Sequence, residues 1–162
     1  MNIALIYTTT NRSTKKSCKL VCEKINADTQ LIPINMAKNN CILKYNLIIL
    51  ASSNNRGKVQ SAMKRYISTN LKNLKEKPTA LILNCDENND IDKILKKTFT
   101  EELVTTSLTS SNFGYELDEN NFMEKRKINK LIKQNEKLPA LDLNEINKFT
   151  DVINSMIEKR VD

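Results

Sequence analysis

Five short apolar runs punctuate the chain, and helical stripes fill most of the space between them. Ile3-Ala4-Leu5-Ile6-Tyr7 is continuously apolar, the mark of a strand buried on both faces of a parallel sheet. Thr29 to Ile34 predicts a second strand, with Pro33 suggesting an edge position. Leu47-Ile48-Ile49-Leu50-Ala51 is the third and most apolar strand, Thr79 to Asn84 the fourth, and the Thr- and Val-rich Leu103 to Thr109 the fifth. Between the first two runs, Cys18, Val21, Cys22 and Ile25 recur at i, i+3, i+4 and i+7, one face of a helix. Val59, Ala62, Met63, Tyr66, Ile67, Leu71 and Leu74 form a second stripe. Asp90 is placed to cap a third helix carrying Ile91, Ile94, Leu95 and Phe99. The last helix opens with Asp142 and Glu145, the spacing of a capping box, and should bury Ile146, Phe149, Val152, Ile153, Met156 and Ile157. The longest break, Ser110 to Ala140, contains Phe122 to Lys133, which predicts an extra, poorly amphipathic helix.

Strands alternating with helices predict an α/β fold around a five-stranded parallel sheet. The length of 162 residues suits a single domain spanning residues 1–162. Hydrophobic residues make up 40% and charged residues 28%, a globular composition. There is no histidine, which excludes His-based acid–base catalysis, Ser/Cys–His nucleophile pairs and His-ligated zinc together. The four cysteines, Cys18, Cys22, Cys41 and Cys85, lack the paired spacing of a zinc or iron–sulfur site. Cys18 and Cys22 share the stripe with Val21 and Ile25 and read as core. With no signal peptide and no long apolar span, the expected setting is cytoplasmic, without a transmembrane segment and with reduced thiols.

The formal net charge is +7. The lysines are spread along the chain instead of massed in one tract, and no aromatic cluster accompanies them. The expectation is a solvated basic surface and no nucleic-acid partner.

Gly57 and Gly114 are the only glycines. They fall in the loops after strands three and five, at the carboxyl edge of the sheet where open α/β folds bind ligands.

With these residues placed, the sequence resembles the flavodoxin superfamily, in particular the branch of flavodoxin-like, quinone-dependent protoporphyrinogen oxidases and their uncharacterised relatives. The resemblance covers nearly the whole chain. It rests on Ile6-Tyr7 with the following Thr/Ser loop, on Tyr45-Asn46-Leu47-Ile48-Ile49-Leu50-Ala51-Ser52, on Arg56-Gly57-Lys58, and on Phe113-Gly114-Tyr115-Glu116-Leu117-Asp118. It implies a three-layer sandwich with strand order 2-1-3-4-5 and a non-covalent FMN at the switch point. Electron transfer or a small flavin oxidoreductase activity would follow, with a redox partner protein or a quinone, in a monomer or weak homodimer. The rival is a degenerate fold that has lost productive FMN binding and serves as a binding or regulatory module.

The family's phosphate loop aligns with Thr9, Thr10, Asn11, Arg12, Ser13 and Thr14. Backbone N–H groups at a helix N-terminus and neighbouring hydroxyls together suit a phosphate dianion. Arg12 replaces the family's glycine and would add a charge-assisted contact. On the ring side the resemblance implies Ser53, Asn54, Asn55, Arg56 and Gly57, with Asn55 where relatives carry a stacking tyrosine. Cys85 and Asp86 follow strand four, and Phe113 and Gly114 follow strand five, where Phe113 or Tyr115 would supply a substitute ring. A receiver domain is rejected, because Thr8-Thr9-Thr10 and Ala51-Ser52 stand where its acids are needed. A dinucleotide fold would need a glycine fingerprint that two glycines cannot make.

Overall fold

The parallel strands assemble as expected, because their apolar runs have nowhere else to go. A computed structural model describes residues 1–8, 12–38, 41–55, 58–86 and 90–160. Strand β1 (Asn2–Tyr7) is second from one edge, paired in parallel with the edge strand β2 (Asp28–Pro33) on one side and the central β3 (Leu47–Asn55) on the other. Beyond β3, a two-residue strand β4 (Lys58–Val59) folds back antiparallel on its end. The parallel sheet continues through β5 (Thr79–Asn84) and β6 (Thr109–Asn112). Counting the parallel strands alone, the order is 2-1-3-4-5. Pro33 sits on the edge strand, paired only with Tyr7, so its missing N–H costs no ladder bond.

Alternate residues of each strand feed opposite cores. Ala4, Ile6, Ile48, Leu50, Leu81 and Leu83 face helices α2 (Ser61–Lys75), α3 (Ile91–Phe99) and α4 (Glu101–Thr106). Ile3, Leu5, Ile49, Ala80 and Ile82 face α1 (Arg12–Lys24) and α6 (Leu143–Glu158). Cys18 and Cys22 belong to this second core, and the four cysteines are free thiols. Helix α5 (Phe122–Lys133) follows β6, and its one buried residue is Ile128.

Four expectations need correction. The segment expected as strand five is largely helix: Thr100 caps α4, accepting from the Leu103 N–H, and Glu101 and Glu102 occupy its first turn. Both favour a helix start. The real fifth parallel strand, Thr109-Ser110-Ser111-Asn112, is polar and half-buried, so it carries no apolar signal. Strand three runs past Ala51 to Asn55, where a loop was expected. In α6, Asp142 caps the N–H groups of Asn144 and Glu145, but the reciprocal half of the box is absent. The Asp142 N–H bonds Phe113 O and the Glu145 carboxylate takes Lys148 instead. Val152, expected in the core, is exposed.

Candidate functional site

The carboxyl edge of the sheet holds two corners of different character. At the first, β1 delivers Thr8, whose N–H bonds Ala51 O in the middle of β3, and the chain re-emerges as the N-terminus of α1. Thr8 and Thr14 are 1% and 0% exposed, and neither side-chain hydroxyl has a hydrogen-bond partner. A buried hydroxyl without a partner costs about 1–3 kcal/mol, so two at one edge are a standing deficit that an anion would offset. Thr14 lies in the first turn of a thirteen-residue helix, where free backbone N–H groups and the macrodipole also favour negative charge. Thr9, Thr10 and Asn11 lie outside the described residues.

The segment after β6 crosses over this corner. The Ser13 hydroxyl donates to Glu116 O (2.9 Å) and accepts from the Glu116 N–H (2.8 Å). Arg12 pairs with Asp118 at 3.1 Å and Lys16 with Glu116 at 2.7 Å. Between them lies a cleft of about 360 Å³, lined by Arg12, Ser13, Lys16 and residues 116–120. The Asn120 backbone N–H, and then the Arg12 guanidinium, hold the Asp118 carboxyl below its ordinary value. Two expectations change here. Arg12 turns to Asp118, and Ser13 clasps the Glu116 backbone. Within the described part of the phosphate loop, Thr14 is left as the hydroxyl without a protein partner.

The second corner is closed by asparagines. Asn112 mimics a strand neighbour: its carbonyl oxygen accepts from the Cys85 N–H (3.0 Å) and the Gly114 N–H (3.2 Å), and its amide donates to Cys85 O (3.2 Å). Asn84 donates to Gly114 O (3.0 Å) and accepts from the Ser17 hydroxyl (3.1 Å), tying α1, β5 and the loop after β6 together. Neither asparagine stood out in the sequence. The available signal was that three neighbouring parallel strands, β3, β5 and β6, all end in Asn.

Gly114 adopts φ +67°, and a Cβ there would meet Ala140 O at 2.8 Å. Leu141 bridges it antiparallel. The glycine is therefore required by the chain's own 139–142 segment. Phe113 is fully buried, edge-to-face with Phe149 at 5.4 Å, so its ring is core and not a substitute for the missing tyrosine. Tyr115 is partly exposed, with Lys127 Nζ 3.0 Å from its hydroxyl and over its ring. Cys85 is buried, and burial followed by the Asp86 charge pushes its thiol up to about 11. It is no thiolate nucleophile at neutral pH. Cys85, Asp86, Gly114, Tyr115 and Lys127 line one side of a cavity of about 660 Å³, and residues 136–144 line the other.

Ser53 and Asn54, at the end of β3, are buried beside the first corner, and the Gln60 amide approaches the Ser53 hydroxyl at 3.4 Å. The Asn55 backbone pairs with Lys58. Arg56, Gly57 and Glu87 lie outside the described residues. No helix among the described residues is long and apolar enough to cross a membrane.

These observations define a doubly wound α/β protein whose first helix starts at the carboxyl edge of the sheet beside two buried hydroxyls without partners. A model of the flavodoxin domain family matches residues 4–141, and the chain belongs to that family. Its fold is similar to a flavodoxin of Streptococcus pneumonia TIGR4, at TM-score 0.63 and 12% identity over 96% of this chain and 99% of that one. Two-electron reduced Megasphaera elsdenii flavodoxin gives 0.60 and 14%, over 76% and 93%. Bacillus cereus flavodoxin 2 gives 0.56 and 18%, over 81% and 94%. No curated protein matches the sequence.

Proposed function

We propose that this protein binds FMN non-covalently, led by the phosphate, and works in electron transfer. The single observation that carries the reading is the buried, partnerless Thr14 hydroxyl in the first turn of α1. It lies at the point where β1 and β3 part company in strand order, the place where doubly wound folds take ligands. FMN would supply one- and two-electron chemistry at its ring.

Thr8 and Thr14 would hold the phosphate with the α1 amides, and Thr9, Thr10 and Asn11 would complete the loop. The clasp of Ser13 on Glu116 keeps the segment after β6 over this corner and limits access of water. Ser53, Asn54, Asn55, Arg56 and Gly57 would face the ring from one side, and Cys85 and Asp86 from the other. Among the described residues the partly exposed Tyr115 ring is engaged by Lys127 and the Phe113 ring is core. Ring stacking is therefore a smaller share of the affinity than phosphate recognition. No described residue singles out a tetrapyrrole, so the proposal stops at electron transfer.

Thr14→Val keeps the shape and removes the hydroxyl. Fluorescence titration of the flavin-free protein with FMN should show binding at least tenfold weaker, about 1.4 kcal/mol. Urea unfolding without FMN should show no loss of stability, since the hydroxyl bonds nothing in the protein. Unchanged FMN affinity would overturn the reading.

A further inference from the structure

Helix α5 is strongly basic, with the same net charge as α1 and α2. Its sequence, Phe-Met-Glu-Lys-Arg-Lys-Ile-Asn-Lys-Leu-Ile-Lys, carries five cations and one acid. That acid, Glu124, is turned back to accept the Asp118 N–H. Lys127 is engaged by Tyr115. Lys125, Arg126, Lys130 and Lys133 are exposed, and none has an ion-pair partner among the described residues. Arg12 and Lys16, over the first corner, are by contrast matched by Asp118 and Glu116.

At 100° per residue, Phe122, Met123, Arg126, Lys130 and Lys133 share the face opposite buried Ile128. Phe122 is 72% exposed, with the Arg126 guanidinium 5.7 Å from its ring centre. An exposed aromatic beside an arginine, on a helix face with further cations that have no ion-pair partner, is the composition of a binding surface, where aromatics and Arg anchor and charge steers.

We propose that the outward face of α5 docks a protein bearing an acidic surface patch. The other exposed apolar residues, Met123 and Ile132, flank Phe122 at about 100° and 80° in opposite directions around the helix, so no continuous apolar stripe exists to enter a lipid surface. A single aromatic already covered by arginine makes no stacking platform for successive bases. Twelve residues give a face roughly 18 Å long, the scale of a weak, transient encounter. Lys127 and Leu131 of α5 also line the 660 Å³ cavity beside Cys85 and Asp86. A partner on this helix therefore stands next to the carboxyl edge. The value of that position rests on the electron-transfer reading, whereas the docking itself does not.

The test is fluorescence anisotropy with a labelled glutamate-rich peptide containing a central leucine pair, with and without FMN. The wild-type protein should bind it at about 20 mM salt and lose most of the binding at about 200 mM. The reversal K125E/R126E/K130E/K133E should weaken binding at least tenfold. The same charge change placed on α2 and α3, K64E/K72E/K93E/K97E, should weaken it less than threefold. Phe122→Ala, which changes no charge, should cost about threefold. Should the fourfold reversal lower the helical circular dichroism, the pairs K125E/R126E and K130E/K133E are read separately. Absence of peptide binding, equal losses in the two reversals, or tighter binding of oligothymidylate or of phosphatidylserine vesicles would each overturn the proposal. Because the affinity is read without flavin, a failure of FMN binding leaves this result standing, and the converse holds.

Discussion

The two corners of the carboxyl edge use the same kinds of residue and reach opposite states. Around Asn84, Asn112 and Gly114, the asparagine side chains find partners inside the protein, and a glycine gives the 139–142 segment room to lie against the loop. Around Thr8 and Thr14, two hydroxyls are buried with no partner at all. The first arrangement is complete without a ligand, and its removal should cost stability. The second is incomplete, and its removal should cost affinity. Burial alone does not separate the two, since Asn84 and Thr14 are about equally buried. Hydrogen-bond accounting does.

Gly114→Ala strikes the closed corner hardest. The left-handed backbone penalises a Cβ by roughly 1–2 kcal/mol, and displacing the Ala140 carbonyl adds about the same. A loss of about 3 kcal/mol in urea unfolding is expected. A loss under about 1 kcal/mol would mean that the 139–142 segment is not held against this loop.

Asn112→Ala should come next, at about 2 kcal/mol, because the Cys85 and Gly114 N–H groups lose their acceptor together. Its FMN affinity should stay within about twofold of wild type, in contrast to Thr14→Val. If instead Asn112→Ala abolishes flavin binding at unchanged stability, the division between the corners fails.

The smallest effect concerns Asp118, whose carboxyl sits below its ordinary value. A depressed acid stabilises the fold above its unfolded pKa, about 3.9, and the contribution disappears as pH falls through the lower folded value. Asp118→Asn should therefore be slightly less stable than wild type near pH 6, and the gap should close on acidification toward pH 3. Arg12 and Asp118 are solvent-facing, so the gap is that of a surface pair. A gap that widens with acid would contradict the assignment.

The strands most plainly legible in the sequence are those whose side chains are buried on both faces. Leu47 to Leu50 and Leu81 to Leu83 announce themselves because every position is apolar. The fifth parallel strand did not, since Thr109 to Asn112 is half-buried and held by backbone pairing to β5 more than by its side chains. The helices of Leu103 and Phe122 depend on caps, Thr100 and Asn121, and only the second had a readable period. Around the candidate site, the place of Thr14 in the turn from an apolar strand into a helix was legible. The diversion of Ser13 and Arg12 was not, because both answer to residues more than a hundred positions away. Phe113 was misassigned for a similar reason: a phenylalanine beside a loop glycine looks available until Phe149 of α6 is packed against it.

The bonds between Ser13 and Glu116 close a loop of 103 residues. Loop-closure entropy rises with chain separation, and contacts this distant form after the local ones that shorten the path between them. All five parallel strands must be in order before residue 116 can reach residue 13. The anion corner is therefore among the last parts of the molecule to assemble and among the first to open. In hydrogen exchange, the Glu116 amide should report that opening at a lower free energy than the amides of β1 and β3. Such a corner can open and close without unfolding the sheet beneath it.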